Sequence, residues 1–424
     1  MPLAARHPFH ALRHRNFRLF FFGQFVSLVG TWMQVVAQGW LVLELSNSPF
    51  LVGLVTSLES LPILLLTLYG GVLADRVDRR RAIAFLQAGM LLESLALTLL
   101  TATGHVTVGW IMVLAPVLGT FSAFEVPIRQ AFMMEMVGRD DLINAIALNS
   151  SVFNLTRIVG PVIAGGLIAT LGTTACFAAN TVSFLAVIVA FARMRPPFPG
   201  ALEKRPGHET TFRDGVRYAL GTAEPRALLT LAAALSIFGL GPVLAMLPVY
   251  ARQVLGLGAG GYGGLMSSIG VGAALGAIAM ASLGHRLDRR RLIVIATLFF
   301  STVLALTALH RSYPLALAGL AAIGFGSVLS AISTNTLLQT EAPDHLRGRV
   351  LGFYSFVVLG LAPFGSLQAG FISEHLGAPV SFAVGATCCA LAAVVISWER
   401  KRRSAVGTGA GRTIRDSSPL RGSE

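Results

Sequence analysis

The distribution of apolar residues along the chain restricts the fold more than any other feature. Twelve runs, each roughly 20 residues or longer, consist mainly of apolar side chains. About 20 such residues in a helix cross the hydrocarbon core of a bilayer. We number these runs spans 1 to 12, and they cover residues 17–43, 51–73, 82–103, 106–126, 143–170, 174–193, 227–251, 260–283, 292–309, 313–336, 350–374 and 379–398. The pattern predicts an all-α membrane protein with twelve transmembrane helices.

The scarcity of charge supports this prediction. Only 12% of the 424 residues are charged and 54% are hydrophobic, whereas roughly a quarter of the residues of an average soluble protein are charged. So few charges cannot cover a water-facing surface of this size, which excludes an ordinary soluble protein. The net charge of +13 would indicate nucleic-acid binding in a soluble chain. In a membrane protein its interpretation depends on where the charges lie relative to the membrane.

The positive charges lie on one side of the predicted membrane. With the N-terminus assigned to the cytoplasm, 30 of the 33 Lys and Arg residues fall on the cytoplasmic side. The exceptions are Arg157 within span 5, and Arg252 and Arg311 on the opposite side. Cytoplasmic loops of membrane proteins carry such an excess of Lys and Arg. We therefore predict a multi-pass protein of the bacterial inner membrane, with both termini cytoplasmic, contacts to anionic lipids and no nucleic-acid partner.

The spans divide into two sets of six. Between them lies a polar segment rich in Pro and charged residues, as expected of a connector. The last residues are basic and then rich in Gly and Ser, a composition typical of disorder. The predicted organisation is an N-terminal six-helix bundle (1–193), a central cytoplasmic loop (194–226), a C-terminal six-helix bundle (227–398) and a disordered cytoplasmic tail (399–424).

The two halves share an internal repeat. The segment after span 2, Leu73–Arg81, reads LADRVDRRR, and the segment after span 8, Leu283–Arg291, reads LGHRLDRRR. Six of nine positions are identical at an offset of 210 residues. Two duplicated halves with the substrate site between them form one of the architectures of secondary transporters. Two further positions in each half correspond, namely Leu142 and Gly165 with Leu346 and Gly370.

Several motifs resemble the major facilitator superfamily. Gly71–Arg80 (GVLADRVDRR) resembles its signature between helices 2 and 3, and Gly160–Gly165 (GPVIAG) resembles a motif of its antiporter branch. Gly119–Pro127 (GTFSAFEVP) and the stretch from Asn144 to Pro161 resemble the enterobactin-exporter-like branch. The resemblance covers about residues 10 to 400. It implies the major facilitator fold and transport by alternating access, in which two six-helix bundles rock against each other.

The resemblance also implies a set of gating residues. In the superfamily, a charge cluster at the cytoplasmic ends of helices 2 to 4 latches one bundle against the other, and the GP motif kinks helix 5. The chain departs from the family pattern at three places: Asp78 replaces a Gly, His285 replaces an Asp in the second copy, and Ala115 replaces the Arg of many proton-coupled members. The predicted gating residues are Gly71, Asp75, Arg76, Arg79, Arg80, Glu125, Gly160 and Pro161.

Three ionisable residues fall inside the predicted spans, away from their ends. Glu59 lies in span 2, Glu93 in span 3 and Arg157 in span 5, and the second half contains none. A charge at membrane depth is costly unless it is paired or hydrated, so such residues are candidates for function. We predict that Glu59, Glu93 and Arg157 couple transport to protons. The alternatives are a structural pair with Arg157 and a neutral Glu packed within the bundle.

Span 1 carries a polar stripe that indicates a binding surface. Its polar residues are spaced by 3, 4, 3 and 4 positions and so lie on one face of a helix, which cannot face lipid. The stripe either lines a cavity or forms hydrogen bonds to another helix. Amides, hydroxyls and aromatic rings suit a moderately large amphiphilic compound better than a strongly anionic metabolite. The stripe comprises Gln24, Ser27, Thr31, Gln34 and Gln38, of which we predict Gln24, Thr31, Gln34 and Gln38, together with Asn154 in span 5, to bind the substrate.

These features predict a secondary active transporter. We expect a monomeric, proton-coupled exporter (an antiporter) of an amphiphilic compound such as a siderophore or a drug, with no cofactor and no metal site. Neither of the two lysines, Lys204 and Lys401, lies in a phosphate-binding loop, and no catalytic constellation is recognisable, so we expect no enzyme activity. The alternatives are an uptake permease for a small metabolite and a non-transporting membrane sensor.

Overall fold

The computed structural model describes residues 9–74, 76–195, 212–284 and 287–415. Within these residues the protein is entirely helical, and eleven helical stretches are long and apolar enough to cross a membrane. A short 3₁₀ helix, His10–Arg13, precedes the α-helices. These are α1 (Arg15–Ser46), α2 (Pro49–Ala74), α3 (Arg79–Ala102), α4 (Val108–Leu171), α5 (Thr173–Ala192), α6 (Phe212–Gly221), α7 (Ala223–Phe238), α8 (Leu240–Val249), α9 (Ala259–Leu283), α10 (Arg289–Leu309), α11 (Tyr313–Glu341), α12 (Arg347–Gly360), α13 (Ala362–Leu376) and α14 (Ala378–Arg415).

Helix α4 accounts for the difference between eleven observed stretches and twelve predicted spans. It contains 64 residues and is interrupted at Gly138, where φ is 73° and ψ is −179°. Glycine adopts this positive φ without steric cost. Predicted spans 4 and 5 lie on either side of Gly138. The segment predicted as their connection is helical apart from this residue, because it consists largely of apolar residues and good helix formers such as Met and Ala.

Two other predicted spans are interrupted. Span 7 is divided into α7 and α8 at Gly239, and ends in a turn of π helix, Tyr250–Val254. Span 11 is divided into α12 and α13 at Leu361. Pro242 and Pro363 follow these breaks closely. Proline lacks the backbone N–H that would continue the helical hydrogen bonds across each break.

The repeated aspartate of the two basic motifs begins a helix in each half. The Asp78 side chain caps α3 and accepts a hydrogen bond from the Arg81 N–H at 3.0 Å. The Asp288 side chain caps α10 and accepts from the Arg290 N–H at 3.0 Å. Such a cap stabilises a helix by about 1 kcal/mol. The duplicated motif therefore has a structural role at the start of each helix.

Each half has a small helix that packs into its cluster toward the basic end. The 3₁₀ helix His10–Arg13 packs on α4 just after Gly138, where the Ala11 N–H donates to the Asn144 side chain at 2.8 Å. In the second half, α6 packs on the start of α12, and the Tyr218 hydroxyl donates to the Glu341 carbonyl at 2.9 Å. Helix α6 lies within the segment 194–226, the predicted central cytoplasmic loop.

The C-terminal segment also differs from the prediction. Helix α14 continues to Arg415, so most of the segment predicted as a disordered tail from Glu399 is helical. The four residues that directly follow Glu399 are Arg and Lys, which favour helix. This local preference extends the helix beyond the predicted end of span 12.

The two halves share a hydrophobic cluster at one end of the molecule. We call the end that carries the motifs 79–81 and 289–291 the basic end, and the opposite end the distal end. At the distal end, a single hydrophobic cluster includes residues of both halves, among them Trp40 and Val52 with Tyr262 and Met266. Toward the basic end, each half has its own cluster. The interface between the halves is therefore closed at the distal end.

Candidate transport site

Two close helix crossings close the distal end. Where α2 crosses α13, a Cβ on Gly53 would lie 2.4 Å from the Ser366 carbonyl oxygen and 2.9 Å from the Gly370 Cα. Where α4 crosses α9, a Cβ on Gly263 would lie 2.4 Å from the Pro161 carbonyl oxygen. No side chain fits at such distances, so glycine allows the two backbones to touch. Each crossing joins a helix of one half to a helix of the other.

Polar contacts link the halves at the same end. The Glu374 carboxylate on α13 accepts hydrogen bonds from the Ser48 hydroxyl at 2.8 Å and from the Phe50 N–H at 3.0 Å. Both donors lie at the N-terminus of α2, which carries a partial positive charge that favours a carboxylate. The Arg252 guanidinium donates to the Leu43 carbonyl at 3.3 Å. We call Glu374, Ser48 and Phe50 the distal latch.

A cavity of about 220 Å³ lies between the halves, and we call it the carboxylate cavity. Glu59 and Gln38 line it, and the Gln38 Nε2 donates to the Glu59 Oε2 at 3.1 Å. The Gln38 Oε1 is buried and has no hydrogen-bond partner among the described residues. A buried acceptor without a donor is costly, so this oxygen is available to a donor within the cavity. Further lining residues are Trp32, Thr56, Ser60, Tyr262 and Ser366.

The second carboxylate, Glu93, belongs to a buried hydrogen-bond network. The Gln34 Nε2 donates to the Glu93 Oε2 at 3.0 Å, and the Gln34 Oε1 accepts from the Asn180 Nδ2 at 2.7 Å. The Ser183 hydroxyl donates to the Asn180 Oδ1 at 2.9 Å. Glu93 is 3% exposed and Gln34 is 1% exposed. Gln34 therefore contacts neighbouring helices, which is the alternative that the stripe of span 1 left open.

Arg157 lines a second cavity of about 290 Å³, which we call the hydroxyl cavity. Its guanidinium lies over the Trp32 ring, with Cζ 5.9 Å from the ring centroid. Trp32 lines the carboxylate cavity, so the two cavities are neighbours. They share the lining residues Gly241, Leu244 and Ala362. The polar residues that line the hydroxyl cavity from the second half are Ser236, Ser327, Ser330, Thr334 and Tyr354.

A third and larger cavity, of about 510 Å³, lies between α2 and α12 toward the basic end. Its lining is mainly apolar and includes Leu64 and Phe356, with Arg349 as its charged residue. Gly71, one of the predicted gating residues, lies in its wall. A Cβ on Gly71 would have no heavy atom within 4 Å, so the space beside this residue is open in the structure.

The described partners of the predicted gating charges lie in the first half. Arg79 forms an ion pair with Glu135, which the sequence analysis did not identify. Arg80 donates to the Phe191 carbonyl at 3.0 Å at the end of α5. Glu125 pairs with Arg129 at 2.9 Å. Arg76 is exposed, and Asp75 lies outside the described residues. The role of these residues as a latch between the halves stays a prediction.

The other predicted gating residues lie in α4. A Cβ on Gly160 would lie 2.5 Å from the Trp32 Cβ, so this glycine allows α4 to approach α1. Pro161 follows directly and supplies the carbonyl that faces Gly263. The GP motif therefore contacts α1 on one side and the second half on the other.

Among the predicted substrate-binding residues, Gln38 lines a described cavity. Gln24 is buried, and the Thr31 hydroxyl donates to the Ser27 carbonyl of its own helix at 2.9 Å. The Asn154 Nδ2 donates to the Ser150 carbonyl, also within its helix. The structure thus brings Gln38, Glu59 and Arg157 to neighbouring cavities and places Glu93 beside them in a buried network.

Sequence reasoning missed the distal latch and the close crossings. One signal pointed to the crossings, because Gly165 and Gly370 occupy corresponding positions of the repeat. In the structure, Gly370 faces Gly53 and Gly165 faces Gly263. Each of the two corresponding glycines therefore lies at a contact between the halves. Glu374 gave no comparable signal, because a polar residue near the end of a span is ordinary.

Comparisons with known proteins agree with this architecture. Residues 6–407 match the family described as transmembrane secretion effector. The chain is 27% identical to the multidrug efflux pump Tap of Mycolicibacterium fortuitum over 375 residues, which cover 86% of this chain and 90% of that protein. It is 28% identical to the enterobactin exporter EntS of Shigella flexneri over 346 residues, which cover 81% of each protein.

A solved structure shows the same fold. It is a bacterial homolog of the human lysosomal transporter Spinster in an inward-facing, unoccupied conformation, with a TM-score of 0.69 at 14% identity, and the match covers 91% of this chain and 95% of that one. The membrane-spanning helices, the cavities between two halves and the family match lead to one assignment. The chain belongs to the transmembrane secretion effectors of the major facilitator superfamily, in the branch that includes the enterobactin exporters.

Proposed function

We propose that this chain exports a moderately large amphiphilic compound, such as a siderophore or a drug, in exchange for protons. The observation that carries the proposal is the Glu59 carboxylate, which lines a cavity between two halves that are closed at one end. A carboxylate in such a place can take up a proton from one side of the membrane and release it to the other when access alternates. The names of the relatives, a multidrug efflux pump and an enterobactin exporter, support export.

The proposal includes the full topology. We infer that the two segments of α4 on either side of Gly138 are separate spans, because 64 helical residues would extend about 96 Å, three times the hydrocarbon core of about 30 Å. This gives twelve spans in two bundles of six. The basic end then faces the cytoplasm together with both termini, where its arginines contact anionic lipids. The protein acts as a monomer in the bacterial inner membrane.

In this orientation the structure corresponds to an inward-facing state, because the closed distal end faces away from the cytoplasm. Export requires the distal latch and the glycine crossings to separate while the basic end closes. The gating residues Gly71, Asp75, Arg76, Arg79, Arg80 and Glu125 would then form contacts between the halves at the basic end. Gly160 and Pro161 couple this motion to α1, because they lie between α1 and the second half.

The proton route uses the two carboxylates of the first half. Glu59 is accessible from the carboxylate cavity, whereas Glu93 is enclosed by the Gln34 network. Proton binding to Glu59 removes a charge from the interface between the halves and lowers the cost of rearranging it. At roughly 150 mV, one inward charge supplies about 3.4 kcal/mol, which supports a concentration ratio of a few hundred-fold. The substrate would contact Gln38 through its unpaired Oε1.

Transport in inverted membrane vesicles tests the proposal. Vesicles energised by lactate should accumulate an amphiphilic probe from a panel of ethidium, dansylglycine and a catecholate siderophore, and a protonophore should abolish the accumulation. Glu59→Gln should remove proton-driven accumulation while retaining probe binding. The matched control is Glu44→Gln, because Glu44 is exposed at the distal end of α1. Accumulation that persists without any ion gradient, or full activity of Glu59→Gln, would contradict proton coupling.

The same vesicles determine direction. Uptake into right-side-out vesicles driven by an inward proton gradient would favour the alternative, an uptake permease. An exporter should instead accumulate the probe in the inverted vesicles, whose cytoplasmic face is outside. A deletion strain provides an independent test, because loss of an exporter should increase retention of a siderophore or sensitivity to drugs.

A further inference from the structure

Arg157 is a charged residue without an anionic partner in the part of the chain that the structure describes. Among the described residues, its guanidinium has no ion pair and no hydrogen bond, and its contact is the face of Trp32. A guanidinium in a membrane-spanning helix is costly unless it is paired or hydrated. An aromatic face compensates only a small part of this cost. The side chain therefore has unused capacity to bind an anionic group.

The surroundings of Arg157 fit a ligand rather than a structural counter-ion. The residues that line the hydroxyl cavity include no Asp and no Glu. The two other ionisable residues predicted at membrane depth accept hydrogen bonds from amides, Glu59 from Gln38 and Glu93 from Gln34. Arg157 instead lines a cavity of about 290 Å³, which can hold a small organic group.

The hydroxyls of this cavity act as hydrogen-bond acceptors for a ligand. The Ser236 hydroxyl donates to the Val358 carbonyl at 2.7 Å, and the Ser327 hydroxyl donates to the Gly324 carbonyl at 2.8 Å. The Tyr354 hydroxyl donates to the Ala331 carbonyl at 3.4 Å. A hydroxyl has one donor and two acceptor lone pairs, so these oxygens can still accept O–H or N–H groups. Arg157 supplies the complementary donors for an anion.

The apolar part of the lining completes the description of the ligand. Leu235, Leu244 and Phe300 line the hydroxyl cavity together with the polar groups. An apolar or aromatic body fits against such a surface, because binding removes it from water. The cavity thus combines an anion donor, hydroxyl acceptors and an apolar wall within one volume.

We infer that Arg157 binds an acidic oxygen group of the transported compound, and that the hydroxyl cavity accepts neighbouring O–H or N–H donors and an apolar body. The substrate class is therefore an amphiphilic organic acid rather than a lipophilic cation. This inference rests on the proposed transport function, because it assumes that the cavity between the halves holds the substrate. Arg157 acts in binding, and its role does not depend on proton coupling.

Binding of a matched pair of fluorescent probes tests the inference. Dansylglycine and dansylglycinamide share an apolar ring system and an N–H donor, but only the first carries a carboxylate. Each is titrated onto the purified full-length protein in detergent, without an ion gradient, and the affinity is measured from dansyl fluorescence. We expect the wild type to bind dansylglycine at least roughly tenfold more tightly, as charged hydrogen bonds commonly provide.

Variants assign the preference to Arg157. Arg157→Gln should bind the two probes with equal affinity, and Arg157→Lys should retain part of the preference because it keeps the positive charge. Arg311→Gln is the matched control, because Arg311 is exposed on the opposite side from the basic end. Gel filtration and thermal unfolding verify that each variant is folded. If Arg157→Gln does not fold, Arg157→Lys provides the test through a measurable loss of preference.

Three outcomes would overturn the inference. These are equal binding of both probes by the wild type, no binding of either probe at millimolar concentration, and an unchanged preference in the folded Arg157 variants. None of them depends on proton-driven accumulation in vesicles. A protein that accumulates a cationic probe in a proton-dependent manner but shows no preference for the acid would retain the proposed function and exclude this substrate class.

Discussion

The side-chain amide of Gln34 donates to the Glu93 carboxylate at 3.0 Å and accepts from Asn180 at 2.7 Å. One residue of α1 thereby connects α3 with α5 inside the first half. Because all three side chains are buried, each hydrogen bond replaces one that water would otherwise supply. The network holds Glu93 in place next to the cavity that contains Glu59.

Replacement of Gln34 should destabilise the first half. Gln34→Met keeps the volume of the side chain but leaves Glu93 and the Asn180 amide without their partner. A buried polar group that loses its partner costs about 1–3 kcal/mol. We expect a lower unfolding temperature of the purified protein in detergent. Gln339→Met is the control, because Gln339 is exposed and should tolerate the change; equal stability of both variants would show that the network contributes nothing.

Loss of the distal latch should favour opening of the distal end. Glu374→Gln removes the charge that accepts hydrogen bonds from Ser48 and from the N-terminus of α2. Hydrogen bonds to a charged group contribute about 1.5–3 kcal/mol, so the open population should rise by roughly ten-fold or more. The measurement is labelling of Thr56→Cys, which lines the carboxylate cavity, by a membrane-impermeant maleimide added from the distal side.

The labelling experiment uses a background without the native residues Cys176, Cys388 and Cys389. Glu44→Gln again serves as the control, since it removes a carboxylate from the same end without touching the latch, and the Gln amide oxygen can still accept the hydrogen bond that Glu44 accepts from the Trp40 Nε1–H at 2.8 Å. Labelling of Thr56→Cys that is unaffected by Glu374→Gln would show that Glu374 does not hold the distal end closed.

The contact between the N-terminal 3₁₀ helix and α4 should stabilise the junction at Gly138. The buried Asp141 carboxylate interacts with Arg13 at 2.8 Å and with His14 at 2.8 Å. Asp141→Asn removes the charge that attracts both groups, and we expect a loss of about 1–3 kcal/mol in unfolding free energy. The measurement is denaturant unfolding in detergent. Asp344→Asn is the control, because the Asp344 carboxylate is exposed and its ion pair with Arg347 lies at the surface, where it contributes little. A comparable loss in both variants would refute a specific role of Asp141.

The transmembrane class of the fold was predictable from the sequence because lipid imposes a simple requirement. A segment that crosses the hydrocarbon core must be helical and apolar over its length. Such segments are visible in the sequence as long apolar runs. The helical connection between predicted spans 4 and 5 was not predictable, because helix-forming residues continue α4 on both sides of Gly138. Local breaks such as Gly239 depend on glycine and proline within otherwise continuous apolar runs.

The candidate site was predictable only in part. Glu59, Glu93 and Arg157 were identifiable because a charge at membrane depth is rare and costly. Their partners were not identifiable in the same way, since Gln34 and Gln38 belong to one stripe but contact different carboxylates. Which of them lines a cavity depends on how α1, α2 and α3 pack. The spacing of the polar residues in the sequence does not predict how these helices pack.

Two glycines of α2 differ in the space that the structure leaves for a side chain, and one of them lies at the crossing with α13. A methyl group on Gly53 would collide with the Ser366 carbonyl at 2.4 Å, whereas a methyl group on Gly71 of the same helix would meet no atom within 4 Å. Gly53→Ala should therefore prevent closure of the distal end. We expect at least a roughly tenfold loss of accumulation in inverted vesicles, because misplaced backbone contacts of this kind cost more than about 1.4 kcal/mol. Labelling of Thr56→Cys from the distal side should rise at the same time. Gly166→Ala is the control and should leave both measurements unchanged, because a Cβ on the exposed Gly166 of α4 would meet no heavy atom within 4 Å. A tolerated Gly53→Ala would mean that the distal end closes without close contact of these two helices.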